Sequence, residues 1–258
     1  MIAQQVSTSP AVSVFAPPEF VSTGLKVRRR QRGGVILDLD DTLYPREQFV
    51  LSGFAAVARY MAAHHEISSD AAFLTLTDAY DGSERGQEFQ ALCRRFDLSL
   101  DVIPELLAVF REHHPSLWLR PGVIDTLYRL RREGWRIAIL TNGLPRVQAA
   151  KVDALGLRRL VDAVLYAEEY ASGGKPAAAA FRAALSRLNL PASSCIAVGD
   201  DPLCDVRGGR AAGLGTVRVS RADVEGPVQH EADVVIDRIE ELPEVAHALL
   251  DLVHSDVA

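Results

Sequence analysis

The stretch GGVILDLDDTLYPREQF, residues 33–49, runs an apolar strand straight into three carboxylates, Asp38, Asp40 and Asp41. An ordinary turn would not crowd acids in this way. Two like charges about 4 Å apart cost roughly 4 kcal/mol at an effective dielectric near 20. Either a cation sits among them or one of them titrates abnormally. Strand residues two apart share a face, so Asp38 and Asp40 are expected on the same side.

Further apolar runs, each bounded by turn residues or acids, read as buried parallel strands. They are WRIAILTNG (135–143), AVLYAEE (163–169), SCIAVGDD (194–201), GTVRVS (215–220) and ADVVID (232–237). Helical patterns separate several of them: GVIDTLYRLRREG (122–134), PRVQAAKVDALGL (145–157) and PAAAAFRAALSRLNL (176–190), with a closing helix in IEELPEVAHALLDLVH (239–254). Strands alternating with helices predict right-handed βαβ units and an α/β fold, a Rossmann-like, doubly wound and mostly parallel sheet. One interval breaks the alternation. Residues 47–118 carry apolar side chains at three-four spacing and no convincing strand, which predicts a block of about four helices. The expected organisation is a tail (1–32) containing the basic run KVRRRQR (26–32), a core (33–46 and 119–258) and an inserted helical cap (47–118).

Composition narrows the function classes. The chain has 258 residues, 48% apolar and 24% charged, as in ordinary globular proteins, and a formal net charge of −6. That charge speaks against a nucleic-acid polymer or a membrane surface as partner. No apolar stretch approaches the ~20 residues needed to span a bilayer, and no secretory signal is evident. Three cysteines, Cys93, Cys195 and Cys204, stand at no metal-ligand spacing. A reducing, cytoplasmic setting is the expectation.

Open parallel sheets bind ligands beyond the carboxyl ends of their strands. Three predicted strands end there in reactive groups: Asp38 and Asp40, then Thr141 and Asn142, then Asp200 and Asp201 with Asp205 just beyond. Lys175 precedes the helix leading into the last of these strands. Such a set suits phosphoryl transfer from a small-molecule phosphate ester. A phosphate dianion needs a bridging cation to approach so many carboxylates, and hard oxygen donors point to Mg²⁺. Asp38, Asp40, Asp200 and Asp205 are the carboxylates expected around it. Asp38 could attack phosphorus in line, and Asp40 could protonate the leaving oxygen and later deprotonate water. Thr141, with the N–H groups of Asn142 and Gly143, could hold phosphoryl oxygens while Lys175 balances charge.

Taken in order, DLDDT, LTNG, GGKP and VGDDPLCD resemble the four motifs of the haloacid dehalogenase superfamily, from about residue 34 onward. The resemblance implies Asp38 as nucleophile, Asp40 as acid/base, Thr141 as phosphate-binding hydroxyl, Lys175 as charge-balancing lysine, and Asp200 and Asp205 as metal-site acids. It also implies a helical cap of the C1 type that closes over substrate. True dehalogenases of the superfamily lack an acid two residues after the nucleophile, so Asp40 argues for phosphate chemistry. Asp201 departs from the usual Ser or Thr after the first acid of the fourth motif, which leaves Asp201 and Asp205 both open as metal contacts. The leading expectation is a phosphomonoesterase acting on a nucleoside monophosphate or sugar phosphate. A sugar phosphomutase and a non-catalytic binding protein on the same scaffold are the competing readings. Among accessory residues, Tyr44 is expected beside a leaving group or in the core, and Arg46, Arg85, Arg94 and Arg95 are candidates for meeting an anion. The pairs His64–His65 and His113–His114 read as surface or hinge residues, and Cys204 as an inert thiol.

Overall fold

The computed structural model describes residues 32–220 and 232–255. The expected tail, apart from Arg32, lies outside the described residues. After strand β1 (Gly34–Leu37) the chain makes a tight turn in which Asp41 takes a left-handed conformation (φ 60°). It then enters four helices: α1 (Arg46–His64), α2 (Ser69–Asp81), α3 (Glu88–Arg95) and α4 (Ile103–Glu112). The remaining order is α5 (Val123–Glu133), β2 (Arg136–Thr141), α6 (Pro145–Ala154), β3 (Ala163–Tyr166), α7 (Ala178–Leu188), β4 (Cys195–Gly199), α8 (Gly208–Ala211), β5 (Gly215–Val219), β6 (Val234–Ile236) and α9 (Leu242–Ser255).

The strands form one sheet in the order β3-β2-β1-β4-β5-β6, with every pair parallel. This is the doubly wound arrangement expected from the alternation, with the direction of winding reversing at β1. The absence of polar alternation in GVIL follows from burial on both faces. Val35 and Leu37 pack with Ile137, Ile139, Ile196 and Val198 beneath α5, α6 and α9, while Ile36 packs with Ala138, Leu140, Ala197 and α7 on the other side. Each large aliphatic side chain so buried contributes about 1.5–3 kcal/mol. The β1–β4 ladder continues one residue past the strand, since Asp38 N–H donates to Val198 O at 2.8 Å. The sheet itself therefore holds the backbone of the first acid.

The four-helix block has its own core. Phe54, Val57, Ala58 and Met61 of α1 meet Leu76 of α2, Leu92 of α3 and Leu106 of α4. The apolar positions of α1, at 49, 50, 53, 54, 57, 58 and 61, follow the period of one buried helix face. Its first turn is set by Pro45 and carries Glu47, favourable near a helix N-terminus. One element was not expected from the sequence. Pro202–Arg207 form a π-helical turn that runs into α8. Asp201, capping this turn ahead of Pro202, is the local signal for it.

Candidate active site

The carboxyl ends of β1, β2 and β4 converge at the switch point of the sheet. Lys175 Nζ donates to Asp38 Oδ1 and to Asp205 Oδ1, both at 2.6 Å, and all three residues are buried. Oxygens of Asp38, Asp200 and Asp205 lie within 4.8 Å of one another, the one such group of potential metal ligands among the described residues. Burial pushes the Asp38 carboxyl up to about 7, against the pull of Lys175 and with the help of Asp205 and Asp40. Burial likewise raises Asp205. Burial alone would lower the Lys175 ammonium, but Asp205 and Asp38 hold it above the usual lysine range. One lysine among three acids leaves excess negative charge in a largely buried site. Three close carboxylates are the hard oxygen donors that a divalent cation such as Mg²⁺ takes.

Close approach fixes this geometry. Gly199 ends β4, and a Cβ there would collide with the Asp205 carboxylate. Asp205 Oδ2 accepts from the Asp201 N–H at 3.1 Å, while Asp201 Oδ1 accepts from the Leu203 and Cys204 N–H groups, both at 2.8 Å. Asp201 is thus the cap of the following turn, and Asp205 supplies the carboxylate beside Asp38. Thr42 Oγ1 donates to Asp200 Oδ1 at 3.4 Å. Asn142 clamps the lysine loop: its Oδ1 accepts from Lys175 N–H at 2.7 Å and its Nδ2 donates to Lys175 O at 3.0 Å. Gly174 (φ +67°) leaves room for that amide, which a Cβ would strike. With the Asn142 side chain engaged in this clamp, its backbone N–H is the group left for substrate.

Asp40 faces a different set of partners. Lys151 Nζ donates to its Oδ1 at 2.7 Å, Gln148 Nε2 to its Oδ2 at 2.8 Å, and the Tyr44 hydroxyl to Oδ1. Burial would raise this carboxyl, but Lys151 and these hydrogen bonds hold it below the usual range. Asp40 stands outside the three-carboxylate group. Gln148 Nε2 also donates to Thr141 Oγ1 at 2.6 Å, joining the acid after β1 to the hydroxyl ending β2. The Lys151 ammonium lies 4.4 Å from the centre of the Phe49 ring. Gln148 and Lys151 escaped the sequence reading. Their signal was available: two polar residues three apart on the α6 face that also buries Val147 and Val152.

The other candidates separate cleanly. Tyr44 is fully buried against Asp40. Arg85 lies over the Tyr80 ring, Arg95 over Phe96, and Arg94 pairs with Glu84, all within the helical block. His64 and His65 stack near Tyr60, and His113 Nδ1 contacts Phe110 O at 2.6 Å. Burial pushes the Cys204 thiol up to about 11, reinforced by Asp201 and Asp205, as an inert thiol requires. A cavity of about 540 Å³ joins the site to the helical block. Its floor carries the acids, Thr141 and Lys175, and its roof is Arg46 and Phe49 of α1 with Phe110 and Arg111 of α4.

A profile of the haloacid dehalogenase-like hydrolases matches residues 33–213. The chain belongs to that family of hydrolases. It is similar to a glyceraldehyde 3-phosphate phosphatase of Methanopyrus kandleri, 31% identical over 83% of this chain and 97% of the relative. It is also similar to a ribulose-1,5-bisphosphate 5-phosphatase of Halopiger xanaduensis, 30% identical over 82% of this chain and 98% of the relative. In three dimensions it resembles a HAD phosphatase from Thermococcus onnurineus, with a TM-score of 0.57 and 25% identity over 83% of this chain and 97% of that one. Among the described residues no helix is long and apolar enough to cross a membrane.

Proposed function

We propose that this chain is a Mg²⁺-dependent phosphomonoesterase that hydrolyses a small-metabolite phosphate ester through an aspartyl-phosphate on Asp38. The observation that carries the reading is Lys175 bonded to both Asp38 and Asp205 inside the cavity that also holds Asp40 and Thr141. Asp38, Asp200 and Asp205 would hold the metal. When bound, the cation offsets the negative charge of the acids, so that a phosphate dianion can approach them. In the first half-reaction an Asp38 oxygen attacks phosphorus, the ester P–O bond breaks, and Asp40 passes a proton to the departing oxygen. In the second, Asp40 takes a proton from water as that water attacks phosphorus, releasing phosphate and the Asp38 carboxylate. The ion pair with Lys151 favours the ionised form of Asp40, the form needed in the second half.

Thr141 Oγ1 and the backbone N–H groups of Asn142 and Gly143 are the proposed donors to the phosphoryl oxygens. The named relatives act on phosphorylated three- and five-carbon sugars, and a sugar phosphate is the substrate class we propose ahead of a nucleoside monophosphate. The three free cysteines fit a cytoplasmic setting. Asp38→Asn should abolish phosphate release from p-nitrophenyl phosphate in Mg²⁺, because an amide cannot form the acyl phosphate. Turnover at the unmodified rate would remove Asp38 as nucleophile.

A further inference from the structure

The cavity is divided by charge. Its floor holds the carboxylates, and the two lysines there are already neutralised, Lys175 by Asp38 and Asp205 and Lys151 by Asp40. The roof carries the other two cations of the cavity, Arg46 at the start of α1 and Arg111 near the end of α4. Both are exposed, and among the described residues neither guanidinium has a hydrogen bond or a carboxylate partner. The Arg46 carboxylate neighbour, Asp41, is engaged through its Oδ1 by the Arg46 backbone N–H at 2.9 Å. Other arginines along the same seam are spoken for. Arg146 pairs with Glu112 at 2.8 Å, one residue beyond Arg111, and Arg120 Nη2 donates to Asp41 O at 3.1 Å. The rings of Phe49 and Phe110, with centroids 5.6 Å apart, line the same roof beside the two guanidiniums.

We infer that Arg46 and Arg111 form a subsite for a second anionic group on the substrate, so that the ester carries a carboxylate or a second phosphate at the end remote from the reacting phosphoryl group. This rests on the phosphatase reading and narrows it. A ligand held by its reacting phosphate on the floor reaches the roof with its other end, past an apolar wall suited to a short carbon chain. Guanidinium forks match both oxyanions by paired N–H donors, so carboxylate and phosphate are one recognition chemistry here.

The test compares esters of similar size in Mg²⁺: 2-hydroxyethyl phosphate with a neutral end, carboxymethyl phosphate, and ethane-1,2-diyl bisphosphate, alongside p-nitrophenyl phosphate. The wild-type chain should show a kcat/KM at least about tenfold higher for one anionic ester than for the neutral one, the gain expected of charge-assisted pairing. Whichever anionic ester leads identifies the oxyanion. Arg46→Gln and Arg111→Gln should each lower that ratio, and the double variant should bring it close to one, whereas Arg111→Lys should keep part of it. A wild-type ratio near one, or a ratio unchanged in the double variant, overturns the subsite while p-nitrophenyl phosphate turnover leaves the phosphatase reading standing. No release from p-nitrophenyl phosphate overturns both.

Discussion

Asp40 poses the sharpest question at the scale of single residues, because three donors converge on one half-buried carboxylate. Lys151 holds its charge, Gln148 fixes its second oxygen and ties it to Thr141, and Tyr44 closes the third side. Lys151→Met removes the charge while keeping the stem. Breaking a fully buried pair from one side costs about 3–5 kcal/mol, and with Asp40 half-buried the loss of stability should be smaller than that. The informative readout is leaving-group dependence. If Lys151 positions Asp40 for proton transfer, hydrolysis of an alkyl phosphate should drop by about 10²-fold or more, the usual range for lost acid–base catalysis. p-Nitrophenyl phosphate, whose leaving group needs little protonation, should lose much less. Equal losses on both esters would take Lys151 out of leaving-group protonation and leave it only the second half-reaction, which is common to both esters.

At the scale of elements, the turn after β4 shows how backbone shape builds the site. Gly199 ends the strand, Asp201 caps the π-helical turn, and Asp205 returns its carboxylate over the glycine. Gly199→Ala forces Asp205 aside, an overpacking cost of about 1–3 kcal/mol. The Mg²⁺ concentration giving half-maximal phosphatase activity should rise at least about tenfold, since the displaced carboxylate contributes less to the ion. An unchanged Mg²⁺ midpoint in a folded variant would show that Asp205 need not sit there. The helical block is attached by a comparable local device. The Arg120 N–H donates to Leu43 O at 2.9 Å and its guanidinium to Asp41 O, so the outgoing and returning segments are stapled beside the site. The exposed Arg146–Glu112 pair adds only about 0.2–1 kcal/mol to that attachment.

Across the whole molecule, the buried acids couple folding to protons and to metal. Asp38 titrates at about 7 in the folded chain against 3.8 when unperturbed, chiefly because it is buried. A group whose pKa is raised on folding contributes stability that is fully present below its unfolded value and lost as pH rises through its folded value. The metal-free chain should therefore melt at a higher temperature at pH 5.5 than at pH 8, by a few degrees for ~1 kcal/mol in a chain of this size. Mg²⁺ competes with that proton. Its stabilisation should be largest above pH 7 and shrink below it, as differential scanning calorimetry with and without Mg²⁺ would record. A melting temperature insensitive to Mg²⁺ at pH 8 would contradict the metal role of these carboxylates.

The order of strands and helices, the helical insertion and the acids at the strand ends were legible from residues alone, because burial periodicity and turn residues are local properties. GVIL without alternation reported a strand covered on both faces, and apolar three-four spacing from Phe49 to Met61 reported a helix face. The partners of those acids were not local. Asp40 and Lys151 are 111 positions apart, Asp38 and Lys175 are 137, and the Asn142 clamp reaches across 33. Likewise Asp201 and Asp205 are equivalent acids in sequence, and only the turn over Gly199 makes one a cap and the other a neighbour of Asp38. Pattern fixes which residues reach the carboxyl end of the sheet. Which carboxylate meets which cation there follows from packing segments distant in the chain, since a charge's partner is chosen by distance in space and by burial.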